Sequence, residues 1–71
     1  MRESLRLLAE GRTDAEGHAI RRLLRSPAKL ARFRAEVQSR YGIDPENIKK
    51  WIKFLIDHLP EILALILEIM K

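Results

Sequence analysis

Residues 48–70 read IKKWIKFLIDHLPEILALILEIM, and the placement of their apolar side chains decides the architecture. Ile48, Ile52, Leu55, Leu59, Ile62, Ile66 and Ile69 follow one another at alternating steps of four and three residues. Sustained over three heptads, that alternation keeps one stripe of an α-helix facing the same way and is the spacing of a coiled-coil seam. With Ile52 at position a and Leu55 at d, the e positions carry Ile56, Leu63 and Met70, and the g positions carry Trp51, His58 and Leu65. A two-stranded coil prefers charges at e and g, so this wider face needs cover from more than one side. The stretch therefore predicts an association helix at the centre of a multi-helix assembly. Its seam is the seven residues from Ile48 to Ile69, and neighbouring chains are favoured over a monomer wrapped around its own last helix.

Pro60 interrupts the hydrogen bonding of that helix. It has no amide hydrogen for the Ile56 carbonyl, and its ring crowds the preceding turn at a cost of roughly 3 kcal/mol. Because it falls on the outward b position, the expected result is a kink near residues 56–60 that leaves the seam continuous. The alternative is a true break, with Asp57 capping a separate final helix from Pro60.

Moving toward the N-terminus, punctuation residues divide the remainder into helices. Asp44-Pro45 reads as a cap followed by proline at the first helical position, with Glu46 complementing the helix dipole. Ser26-Pro27 repeats the device and opens a third helix, whose Leu30, Phe33, Val37 and Tyr41 share a face and which Gly42 ends. Thr13-Asp14-Ala15-Glu16 has the spacing of a capping box for a second helix running to about Arg25, with Ala15, Ala19, Ile20, Leu23 and Leu24 as its stripe. Gly17 costs that helix roughly 1 kcal/mol relative to alanine. Leu5, Leu7 and Leu8 belong to a short first helix that Gly11 ends in the left-handed conformation. No stretch alternates as a strand does. The expected fold is all-α: a small bundle of about four helices, with a strongly hydrophobic, kinked C-terminal helix that self-associates. It forms one domain over residues 1–71, with basic helices in 1–43 and the association helix in 44–71.

The chain has 71 residues, of which 46% are hydrophobic and 34% charged, and no cysteine. A domain this short buries only about 60% of the surface of its unfolded form, so its core is marginal without a staple or a partner. Disulfides and thiolate metal cages are excluded as that staple. Two separated histidines, His18 and His58, do not close a four-ligand zinc site without carboxylates. Oligomerisation is the remaining help.

Charge divides as sharply as hydropathy. Residues 1–43 hold ten Lys/Arg against five Asp/Glu, residues 44–71 hold four against five, and all nine arginines lie in the first part. Arg21, Arg22, Arg25, Lys29, Arg32 and Arg34 form a run with no acid between Gly17 and Ala35. Phosphate contacts use this chemistry, and the guanidinium fork suits it. Any acidic partner is expected at Arg21, Arg22, Arg25, Lys29 and Arg32. The two helices around Ser26 have the outline of a helix-turn-helix. Ser-Pro stands where glycine is common, however, and Gln38 is the third helix's only amide for reading base edges.

Catalytic candidates are sparse. Asp57, His58 and Glu61 have spacings that would ligate a metal if several chains converged, and the plain reading is a histidine at the edge of an apolar face beside solvated carboxylates. No phosphate loop, metalloprotease pair or serine triad is present. No catalytic residue, cofactor or metal is expected. Met1-Arg2-Glu3-Ser4 leads into no secretory apolar region, and the longest run free of charges, His and Pro is the six residues Ile62–Leu67, where spanning needs about twenty. The expected location is cytoplasmic.

Lys49, Lys50 and Lys53 around Trp51 also occur in peptides that lie on anionic membranes, but Asp57, Glu61 and Glu68 place acids along the polar stripe. The leading expectation is a non-enzymatic structural or interaction protein, such as a scaffold, adaptor or virion-type accessory component, that self-assembles or docks a helical partner. The alternatives are an oligomeric nucleic-acid-binding module using the arginine-rich helices and a membrane-surface-active protein.

Overall fold

Five α-helices and no strand form in the computed structural model, which describes residues 1–71: α1 (Arg2–Ala9), α2 (Ala15–Arg25), α3 (Pro27–Tyr41), α4 (Ile48–Asp57) and α5 (Leu59–Ile69). Local chemistry accounts for most boundaries. After α1, Glu10 takes φ −62° and ψ 127° and Gly11 takes φ 77°, a type II turn closed by the Arg12 amide on the Ala9 carbonyl at 3.1 Å. Ser26 ends α2, and its hydroxyl accepts from the Lys29 amide to open α3. Gly42, at φ 65°, donates to the Gln38 carbonyl and ends α3.

Three boundaries differ from expectation. The cap of α2 is Asp14, whose carboxylate accepts from the Gly17 amide at 2.8 Å, and not the Thr13 hydroxyl. Glu16 therefore sits one position too early to reach back, and the reciprocal box does not form. Asp44 does not cap α4. Arg34 holds its carboxylate in a fork, Nε to Oδ1 and Nη2 to Oδ2 both at 3.1 Å, while Oδ1 also accepts from the Glu46 amide. Pro45 is fully buried in the resulting turn, so α4 starts only at Ile48.

The third difference concerns Pro60. The predicted single kinked helix is instead two helices, broken at His58, where the backbone takes φ −125° and ψ 30°. The His58 amide closes α4 on the Phe54 carbonyl, and the His58 carbonyl accepts the Ile62 amide of α5. Pro60 lies in the first turn of α5, where its missing amide leaves no bond unmade. A proline that would cost about 3 kcal/mol inside one helix costs little at the start of another.

The break lets α5 turn into the core. It packs on α2, α3 and α4, burying Ile62, Leu63, Leu65, Ile66 and Ile69 against the stripes Ala19-Ile20-Leu23 and Leu30-Phe33-Val37. The Cα radius of gyration, 10.9 Å, equals the roughly 11 Å of a globular chain of this length. Trp51 of α4 is fully buried: Phe33 meets its ring edge-on at 6.0 Å, and Nε1 donates to Ser4 Oγ at 2.8 Å. Ser4 in turn donates to the Met1 carbonyl, and no buried side-chain nitrogen or oxygen lacks a partner. No helix is long and apolar enough to cross a membrane.

Gly17 has a tertiary reason. A Cβ there would lie 2.6 Å from Arg12 Cβ and 2.8 Å from the Arg12 carbonyl oxygen, so the α1–α2 connection passes against bare backbone. Alanine is worth about 1 kcal/mol more than glycine in a helix, yet the clash is with backbone that cannot swing away. Gly17→Ala is expected to lower the melting temperature; a rise would show that the connection yields.

The Arg34 guanidinium, then the Glu46 amide, hold the Asp44 carboxyl below the ordinary carboxylate value of 3.8. A group whose folded value is depressed contributes stability above its unfolded value and loses it as pH falls through the folded value. Both side chains keep about two fifths of their surface in water, so the effect is modest and weakens with salt. Melting between about pH 5 and about pH 2 should fall more steeply for the parent than for Asp44→Asn. Equal slopes would remove this pair from the acid response.

Candidate association face

The phase of α4 follows from Trp51 and Leu55, which point into the core. Ile48, Ile52 and Ile56 form a row at steps of four on a different side of the same helix, and they stay 53%, 39% and 71% exposed. Leu7 of α1, at 58%, stands across from Ile52 and Ile56. Between the two helices runs a groove of about 290 Å³ lined by Leu7, Leu8, Ile52, Leu55, Ile56 and Leu59 with Ser4. The Trp51–Ser4 bond holds the two walls together at depth.

The predicted seam is therefore divided. Ile62, Ile66 and Ile69 are covered by the chain's own helices, Leu55 is buried and Leu59 half-buried, while Ile48 and Ile52 face outward. The alternation of four and three describes a single straight stripe, and the turn at His58 ends its continuity. Ile56 was legible as an apolar e position, whereas Leu7 had no signal beyond belonging to a leucine-rich first helix.

No charged side chain lines the groove itself, but along each helix the apolar residues are flanked by charges of opposite sign. Glu3 and Glu10 stand at i−4 and i+3 from Leu7, Glu3 accepting from Arg6 Nη2 through both carboxylate oxygens and Glu10 with no ion-pair partner. Lys49 and Lys53, three residues before Ile52 and Ile56, are exposed and unpaired. At the far end of α4, His58 stacks on Phe54 at 4.5 Å and its Nδ1 lies 3.2 Å from Glu61 Oε2, with Tyr41 closing the aromatic group at 4.9 Å from Phe54. Asp57 lines a hollow with Phe54 and His58 but makes no ion pair, and no three His, Asp or Glu side chains gather as a metal site.

Two members of the basic run, Arg21 and Arg34, are engaged within the chain. Arg21 is half-buried, and its guanidinium donates to the Ala9 carbonyl at 2.9 Å and to the Arg12 carbonyl, tying α2 to the end of α1. Arg34 is held by Asp44. Arg22, Arg25 and Arg32 are exposed and Lys29 half-buried, all four without an ion pair. Comparison with protein-family models, curated proteins and solved structures found no match to this chain.

Proposed function

We propose that this protein is a non-enzymatic interaction module that pairs with a second copy of itself through the α1–α4 groove. The observation that carries the reading is the bare row Ile48, Ile52 and Ile56 beside Leu7, in a chain whose other large apolar side chains, Leu67 apart, are buried or half-buried. A contiguous apolar patch of this kind on a small protein marks an interaction site. Charge favours a second copy as the occupant. A two-fold arrangement sets α1 of one copy on α4 of the other, twice, so that the acid-bordered Leu7 faces the lysine-bordered isoleucines on both sides. Glu10 then meets Lys49 or Lys53, groups with no partner within the chain.

Sedimentation over a concentration series tests this. The parent is expected to pass from one to two chains, and Ile52→Gln/Ile56→Gln to remain a single chain with its helical signal intact. At about 1 kcal/mol for each of the four isoleucines removed per pair, the dissociation constant rises about a thousandfold. A parent that stays monomeric at every concentration, or a variant that pairs as the parent does, would overturn the reading.

A further inference from the structure

The fold sorts its nine arginines into two groups. Six are engaged: Arg2 donates to the Leu24 carbonyl, Arg12 to Leu8, Arg21 to Ala9, and Arg6, Arg34 and Arg40 pair with Glu3, Asp44 and Glu36. The three that hold no carboxylate or carbonyl, Arg22, Arg25 and Arg32, all flank the same one-residue junction at Ser26, with Lys29 beside them. Arg22 and Arg25 share a face of α2, and Lys29 and Arg32 a face of α3, each pair at i,i+3. Arg2, bonded to the last turn of α2, adds a fifth positive charge. Glu3 lines a hollow with Arg2 and Leu24, and both of its carboxylate oxygens accept from Arg6 Nη2.

From this leftover set we infer a second binding surface, independent of the pairing groove: the α2–α3 corner takes the phosphate backbone of double-stranded nucleic acid without reading its sequence. Guanidinium forks match phosphate oxygens, and four free cations concentrated at one corner supply the sequence-independent attraction. Base readout has no equipment here, since the nearest exposed side-chain amide is Gln38, twelve residues from Ser26. Single strands bind on aromatic platforms, and Phe33, Tyr41, Trp51 and Phe54 are all buried or half-buried. An anionic membrane would require exposed apolar bulk beside the cations, yet none of the large exposed apolar residues lies on α2 or α3.

Fluorescence anisotropy with a labelled duplex DNA of arbitrary sequence tests the inference, in the Ile52→Gln/Ile56→Gln background so that chain pairing does not enter. With four phosphates neutralised, the logarithm of the association constant should fall with slope about −3.6 against the logarithm of salt, a loss on the order of 100-fold between about 50 mM and about 200 mM. Arg22→Gln/Arg25→Gln/Arg32→Gln is expected to reduce that slope to about −1, while Lys49→Gln/Lys50→Gln/Lys53→Gln, with the same loss of charge, leaves most of it. Three results would overturn the inference: no binding of the duplex at the lower salt, equal losses for the two triple variants, or tighter binding to phosphatidylserine vesicles than to the duplex. Failure of chain pairing leaves this experiment unaffected, and its own failure leaves the pairing groove standing.

Discussion

Ile62→Asp is expected to abolish the folded state, while Ile52→Asp, at another position of the same four-and-three series, is expected to leave it largely intact. Ile62 has no exposed surface and sits in α5, where helices α2, α3 and α4 close around it. A carboxylate there has no cation or donor to meet, and an unpaired buried charge costs several kcal/mol. The lost isoleucine burial adds about 1.5–3 kcal/mol. A chain of this size has roughly 4–11 kcal/mol of total stability, with small domains toward the lower end, so the sum removes most or all of it. Ile52 is 39% exposed on the groove, and a carboxylate there remains hydrated. Lys53→Asp, on the exposed side of the same helix, should stay within about 0.5 kcal/mol of the parent. Far-ultraviolet circular dichroism with thermal melting reads all three. Equal melting of Ile62→Asp and Ile52→Asp would mean that one continuous seam exists after all.

Trp51→Ala is expected to cost about 3–5 kcal/mol, enough to leave the chain largely unfolded at ambient temperature. The indole is fully buried and joins three helices: its ring receives Phe33 of α3, and its N–H reaches Ser4 of α1 from α4. Alanine removes the packing, the edge-on contact, worth about 0.5–1.5 kcal/mol, and the donor to a buried hydroxyl. Trp51→Phe keeps an aromatic ring and loses the bond, so it should fall between alanine and the parent in urea midpoint. Because Trp51 is the only tryptophan, its emission reports on this site alone. Blue-shifted emission, resistant to acrylamide until the chain unfolds, is the expected signature. Emission typical of water-exposed indole in the folded protein would place α4 elsewhere.

Helix ends were legible wherever a few adjacent residues decide them. Ser26-Pro27 ends one helix and starts the next because the hydroxyl, the missing amide and the fixed φ all act within one turn. Gly11 and Gly42 adopt positive φ because neighbouring amides close turns that only that conformation permits. The stripes of α2 and α3 were legible for the same reason: a helix of period 3.6 places residues three and four apart on one face whatever packs against it. The all-α class thus belongs to the sequence itself, and so does the identity of most core residues.

Tertiary structure decided everything that required two distant residues to compete. Arg34 lies ten residues from Asp44 and draws it away from the helix start that Asp44-Pro45 would otherwise make. Arg21 reaches back to the Ala9 carbonyl and leaves the basic run, and Gly17 is explained only by the Arg12 backbone against it. Pro60 is compatible with a kink or a break, and the choice turned on which of the two let α5 bury Ile62, Ile66 and Ile69 against α2 and α3. That same choice left Ile48, Ile52 and Ile56 outside, beside Leu7. A heptad pattern records which residues are apolar and how they are spaced along the chain. Which of them meets water depends on where the chain turns, and the burial gained by the whole set of helices governs that turn.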